Sequence, residues 1–161
     1  MNRPSQFMTM ASGALVAFFA FAAVTVAADP PSARVDPCTL VTKAEAEAVL
    51  GVAIVAPSAS DDGIFRHCVY ASADKRHYLY FDARDEEQGN FQRGMKLNSH
   101  GLPVDASIGA DAYTDQSSGT LLVWKKGVGL NIKVGDQSGN QSAAKLQQAQ
   151  EKIAKSALSR L

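Results

Sequence analysis

The sequence predicts an α+β fold: an antiparallel β-sheet with a short N-terminal helix, a middle helix and a long C-terminal helix packed on it. Three observations predict it. Two pairs of strand-like runs, within 65–83 and 120–134, are each joined by a short polar turn and read as hairpins. A capped helix precedes the first hairpin, and from Ser142 apolar residues recur at helical spacing to the end. Helices and hairpins come in blocks instead of alternating singly, which separates α+β from a parallel α/β sheet.

The chain opens on an export pattern. Arg3 gives a small positive start, no charge appears from Ala11 to Ala28, and Leu15–Phe21 is apolar. Val26 and Ala28 occupy the positions that a signal peptidase reads, so residues 1–28 are expected to be a signal peptide and Asp29 the mature start. The competing expectation is a retained anchor, since the uncharged stretch approaches the ~20 residues that span a bilayer. Only in that case is membrane contact expected. Removing 1–28 leaves 133 residues with 15 basic and 16 acidic side chains, enough for a single domain at 38–161. That balance leaves no basic footprint for nucleic acid.

Residues 29–37 read as an extended, proline-bearing lead-in. Thr42-Lys43-Ala44-Glu45 is a capping box, and Gly51 suits the left-handed end of a helix closing at Leu50. Val52–Ala56 reads as a strand and Ser58–Gly63 as a loop. In the first hairpin, a tip at Asp74-Lys75 pairs Ala71 with Tyr78, Val69 with Tyr80 and His67 with Asp82. One face then carries Cys68, Tyr70, Leu79 and Phe81; the other carries His67, Val69, Tyr78, Tyr80 and Asp82.

Asp85-Glu86-Glu87 suits a helix start, with Phe91, Met95 and Asn98 on one stripe. A long connection over 98–119 follows, with a short strand at Tyr113–Asp115. The second hairpin has two registers. A three-residue loop, Lys125-Lys126-Gly127, gathers Trp124, Leu122, Val128, Leu130, Ile132 and Val134 on one face and is preferred; a two-residue loop sends Trp124 to the other. In the last helix Leu146, Ala149, Ile153, Ala157 and Leu161 form the packing stripe, with Lys and Gln opposite.

Cys38 and Cys68 are the only cysteines, and an even count in an exported chain reads as a disulfide. A redox pair needs Cys-x-x-Cys spacing and a zinc site needs more ligands, and neither is present. Closing a ring of about 31 residues stabilises the fold by roughly 3–4 kcal/mol in the chain-entropy view.

Asp36-Pro37-Cys38-Thr39-Leu40, the helix Ala44–Leu50 with Gly51, Cys68-Val69-Tyr70 and Gly109-Ala110-Asp111-Ala112-Tyr113 resemble a secreted domain-of-unknown-function family common in actinobacterial lipoproteins. The similarity spans nearly all of 36–161. A lipid-attachment cysteine is missing from this chain. The resemblance implies an envelope protein with its cysteines bonded, and it implies no established activity.

The candidate ligand surface is His67 and Asp82 beside Tyr78 and Tyr80. A carboxylate can orient an imidazole and raise its pKa, which suits acid–base chemistry. Nucleophilic catalysis also needs a positioned nucleophile and an oxyanion hole, and no Gly-x-Ser-x-Gly occurs. His67, His77 and His100 share no metal spacing, and the acidic runs lack a calcium-loop pattern. No catalytic residue, metal or cofactor is therefore assigned. The expected function is an exported periplasmic or extracellular binding module, its partner an envelope protein or small ligand. The alternative is a small periplasmic hydrolase using a His67–Asp82 pair.

Overall fold

A computed structural model describes residues 34–98, 104–108, 111–115 and 117–161. The predicted signal segment 1–28, His100 and part of the 98–119 connection lie outside the described residues. No helix among the described residues is long and apolar enough to cross a membrane. The architecture is α+β, as the sequence pattern predicts. Six strands, β1 (Ser58–Asp61), β2 (Arg66–Ala71), β3 (His77–Asp85), β4 (Ala112–Thr114), β5 (Leu121–Lys125) and β6 (Val128–Asp136), form one sheet in the order β1-β2-β3-β6-β5-β4. Every recorded pairing is antiparallel. Helices α1 (Pro37–Leu40), α2 (Lys43–Leu50), α3 (Gln88–Asn98) and α4 (Ala143–Leu158) complete it.

The alternation of β2 and β3 decides where the core lies. Their register pairs Ala71 with Tyr78, Val69 with Tyr80 and His67 with Asp82, as the tip chemistry predicts. Cys68, Tyr70, Leu79 and Phe81 consequently share one face, and all four are fully buried. Leu121, Val123, Leu130, Ile132 and Val134 extend that face across β5 and β6, while Leu40, Val41, Ala46, Leu50, Ile153, Ala154, Ala157 and Leu158 close the core from the helices. The Cys38–Cys68 disulfide ties α1 to the middle of β2. Such bonds persist in oxidising compartments and are rare in the cytosol.

Several expectations need correction. The β5–β6 register follows the two-residue loop: Lys125 pairs with Val128, Trp124 with Gly129 and Val123 with Leu130. Lys126 and Gly127 both have positive φ, 49° and 81°, the combination that matches strand twist in two-residue hairpins. Trp124 thus leaves the core face, and its indole N–H donates to Glu86 O at 2.7 Å. Ser58–Asp61, expected to be a loop, is the edge strand β1 with every residue exposed. Val52–Ala56, expected to be a strand, contributes one bridge, Ile54 to Ser72. Pro37, expected to end the extended lead-in, instead opens the short helix Pro37–Leu40, because Asp36 caps it by accepting from Cys38 N at 2.9 Å. Asp85 belongs to β3 and not to the middle helix, which begins at Gln88. Gln147 and Gln150, assigned to the solvent side of α4, are buried.

Two polar ties fix the helical layer. Glu45 completes the capping box through Thr42 N at 2.8 Å and also accepts from Arg160 Nη2 at 2.8 Å and from Ser156. The Arg160 guanidinium beside it holds its carboxyl at about 2, well below the usual carboxylate range. At the other tie, Lys125 Nζ donates to Leu158 O at 2.5 Å and Lys126 Nζ to Leu161 O at 2.9 Å. Cations at a helix C-terminus satisfy its free carbonyls and its dipole. The basic hairpin tip is therefore a cap for α4 and not merely a solvated turn.

Candidate functional site

The outer face of the sheet holds the residues singled out from the sequence. Its rows follow from the registers: Ser60, His67, Asp82 and Asn131 in one; Ser58, Val69, Tyr80 and Lys133 in the next; Ala71, Tyr78 and Gly135 in the third. At the β4 end α3 covers this face, with Phe91 and Tyr113 ring centroids 5.4 Å apart. Over β1, β2, β3 and β6 the face stays open enough to leave Tyr80 45 % exposed. Tyr78 and Tyr80 stand with centroids 4.9 Å apart, tilted by 59°. Tyr78 lies across Gly135, where a Cβ would come within 2.0 Å of its ring. The aromatic therefore depends on that strand glycine.

His67 and Asp82 do meet. His67 Nδ1 is 2.9 Å from Asp82 Oδ1. Its other nitrogen, Nε2, is 3.3 Å from Asp62 Oδ2, a partner the sequence reading did not include. Asp62 is set by its own turn, since its Oδ1 accepts from Ile64 N at 2.9 Å and Phe65 N at 2.7 Å. The Asp-Asp-Gly stretch before β2 was the available signal, because aspartates in such turns bond the backbone just ahead. Satisfying both carboxylates requires an N–H on each ring nitrogen, which is the imidazolium form. The Asp82 hydrogen bond, then Asp62, raise the His67 pKa above its usual value against partial burial.

This geometry clamps the histidine. An acid–base catalyst needs a ring nitrogen directed at substrate, whereas both His67 nitrogens face protein carboxylates. The neighbouring outer-face groups are similarly engaged: Arg84 bonds Glu86 through Nε at 3.1 Å and stacks over Phe65 at 5.1 Å. Among the described residues no group of three or more His, Cys, Asp or Glu side chains is arranged to hold a metal ion. What the face offers is a tyrosine-bearing strand surface with a fixed charge pattern. Searches of protein-family models, curated proteins and solved structures find no match to this chain.

Proposed function

We propose that the chain is an exported, non-catalytic binding module of the cell envelope, which meets a protein partner through the open half of its outer sheet face. The observation that carries this reading is the clamp on His67: the chief acid–base candidate has no nitrogen directed outward. Export is supported by the uncharged run and small-residue end of 1–28, together with the Cys38–Cys68 bond. The resemblance to secreted envelope domains points the same way. Tyrosines are enriched at protein interfaces because they add apolar area and a polar tip at low entropic cost.

A photo-crosslinking residue at position 80 of the full chain, expressed in a bacterial host that exports it, tests the reading. One discrete protein adduct at position 80, absent when the crosslinker replaces exposed Lys152 on α4, is the expected result. No adduct, or the same adduct from both positions, rejects the outer face as the contact surface. The hydrolase alternative predicts an activity that His67→Gln abolishes, whereas the binding reading predicts none to abolish.

A further inference from the structure

The two bonds of His67 reach different parts of the fold. Asp82 belongs to β3 and is paired with His67 within the sheet, while Asp62 belongs to turn 62–65, which joins β1 to β2. The turn keeps its own shape: Asp62 N donates to Phe65 O at 3.1 Å, and Asp62 Oδ1 accepts from Ile64 N and Phe65 N. Asp62 Oδ2 is left to reach the sheet, 3.3 Å from His67 Nε2. Ile64, at the apex, is 71 % exposed, so burial does little to hold this turn down. In the row of His67, β1 supplies Ser60 and β6 supplies Asn131, neither of which titrates. Arg84, over the Phe65 ring at 5.1 Å and bonded to Glu86, and Lys133 in the next row are further charges on this side. Strand alternation sends Asp61, Arg66 and Asp85 to the other side.

An imidazolium has an N–H for each carboxylate, whereas a neutral ring has only one. That proton stays on Nδ1, because the Asp82 bond is the shorter, 2.9 against 3.3 Å, and Asp82 is the less exposed carboxylate. Nε2 then turns a lone pair toward Asp62 Oδ2, and two acceptors repel. We infer that His67 is a proton-operated latch: charged, it holds the Asp62 end of turn 62–65 down on the outer face, and neutral, it releases that end. The inference rests on the outer face being the contact surface, and it makes that surface respond to the pH outside the cell. On release the Asp62–His67–Asp82 group becomes one charge more negative, and it presents an acceptor nitrogen in place of a donor. The Asp82 bond, opposed by partial burial and aided by Asp62, raises the His67 pKa. The latch is therefore closed at mildly acidic pH and opens as pH rises through the raised value.

NMR of the full, disulfide-bonded chain from about pH 5 to about pH 9 tests the latch. The His67 ring, the Asp62 side-chain carboxyl and the Ile64 and Phe65 amides should titrate with one midpoint, and the heteronuclear NOE of Ile64 should fall on its alkaline side. Asp62→Asn should reverse the direction. Its carbonyl oxygen can still hold the Ile64 and Phe65 amides, which turns its amino group toward Nε2. Donor then meets donor below the midpoint and lone pair above it, so the Ile64 NOE should rise with pH. His67→Gln should leave the fold intact and the turn insensitive to pH. The latch is overturned if the Ile64 and Phe65 amides ignore the His67 midpoint, or if Asp62→Asn keeps the direction of the parent. No partner takes part, so the two readings fail separately. A turn that titrates in a chain giving no adduct at position 80 rejects the contact surface alone, and a static turn in a chain that gives the adduct rejects the latch alone.

Discussion

The two faces of the sheet come from the same strands and yet do different work. Along β3, Leu79, Phe81 and Ala83 point inward and are fully buried, while Tyr80 between them is 45 % exposed. The inner face is covered by α1, α2 and α4, joined to β2 by the disulfide and to one another through Glu45 and Arg160. Among the described residues the outer face is covered by α3 near β4 and elsewhere carries polar pairs such as His67–Asp82. A period of two lets neighbouring residues answer to separate demands. Stability is concentrated on one side, so the other is free to present a surface.

Adjacent residues provide the sharpest way to break this contrast. Phe81→Ala should cost about 3–5 kcal/mol by removing a fully buried ring, while Tyr80→Ala should stay within about 0.5 kcal/mol. Urea denaturation of the two variants measures both. Similar losses would mean that the outer face is packed against something as fully as the inner one.

The disulfide is the next largest expected effect. It closes a loop with a sequence separation of 30, so replacing both cysteines by serine should lower stability by roughly 3 kcal/mol without altering the outer-face registers. Denaturant midpoints of the oxidised parent and the double variant give the value. A loss below about 1 kcal/mol would show that Val41, Ala46 and Leu50 hold α2 to the sheet unaided.

How much of this contrast is legible in the sequence depends on where the governing interaction lies. The first hairpin is local: alternation of Cys68, Tyr70, Leu79 and Phe81 against His67, Val69, Tyr78 and Tyr80 fixes both register and faces. The capping box at Thr42 and Glu45 is equally local. The second hairpin misleads because Trp124, the largest apolar residue, suggests a core role; its indole finds Glu86 O on the outer side, while Leu121 and Val123 fill the core. β1 is invisible as a strand because Ser58–Asp61 has no apolar alternation and is held only by pairing with β2. Long-range contacts likewise decide the candidate site. Asp62 reaches His67 through a turn, which no sequence spacing announces.

Gly135 tests whether the outer face is organised or merely exposed. A Cβ there would lie 2.0 Å from Tyr78 Cζ, at the far end of a ring that can swing outward. Gly135→Ala should therefore cost about 1 kcal/mol in the parent, through lost Tyr78 packing. In a Tyr78→Ala background the cost should vanish, since alanine suits a strand better than glycine. A thermal-denaturation double-mutant cycle reads the coupling. An equal cost in both backgrounds would place the strain in the backbone and not in the ring.

The smallest expected effect concerns His67, and its sign follows from the clamp. Asp82 and then Asp62 raise the His67 pKa in the folded chain above the usual 6.5. A raised folded value means that the ion pairs contribute fully below the unfolded pKa and fade as pH rises through the folded one. The pair is partly exposed, with His67 28 % and Asp82 22 % accessible, so its contribution should be below about 1 kcal/mol. NMR titration of the His67 ring should give a pKa above 6.5 in the parent, and Asp82→Asn should lower it more than Asp62→Asn, because the Asp82 contact is the shorter. Stability should fall slightly from neutral to mildly alkaline pH in the parent, and less so in His67→Gln. An unshifted His67 would release a neutral imidazole nitrogen on the open face. That outcome would return acid–base chemistry to the outer face and count against the proposed binding role.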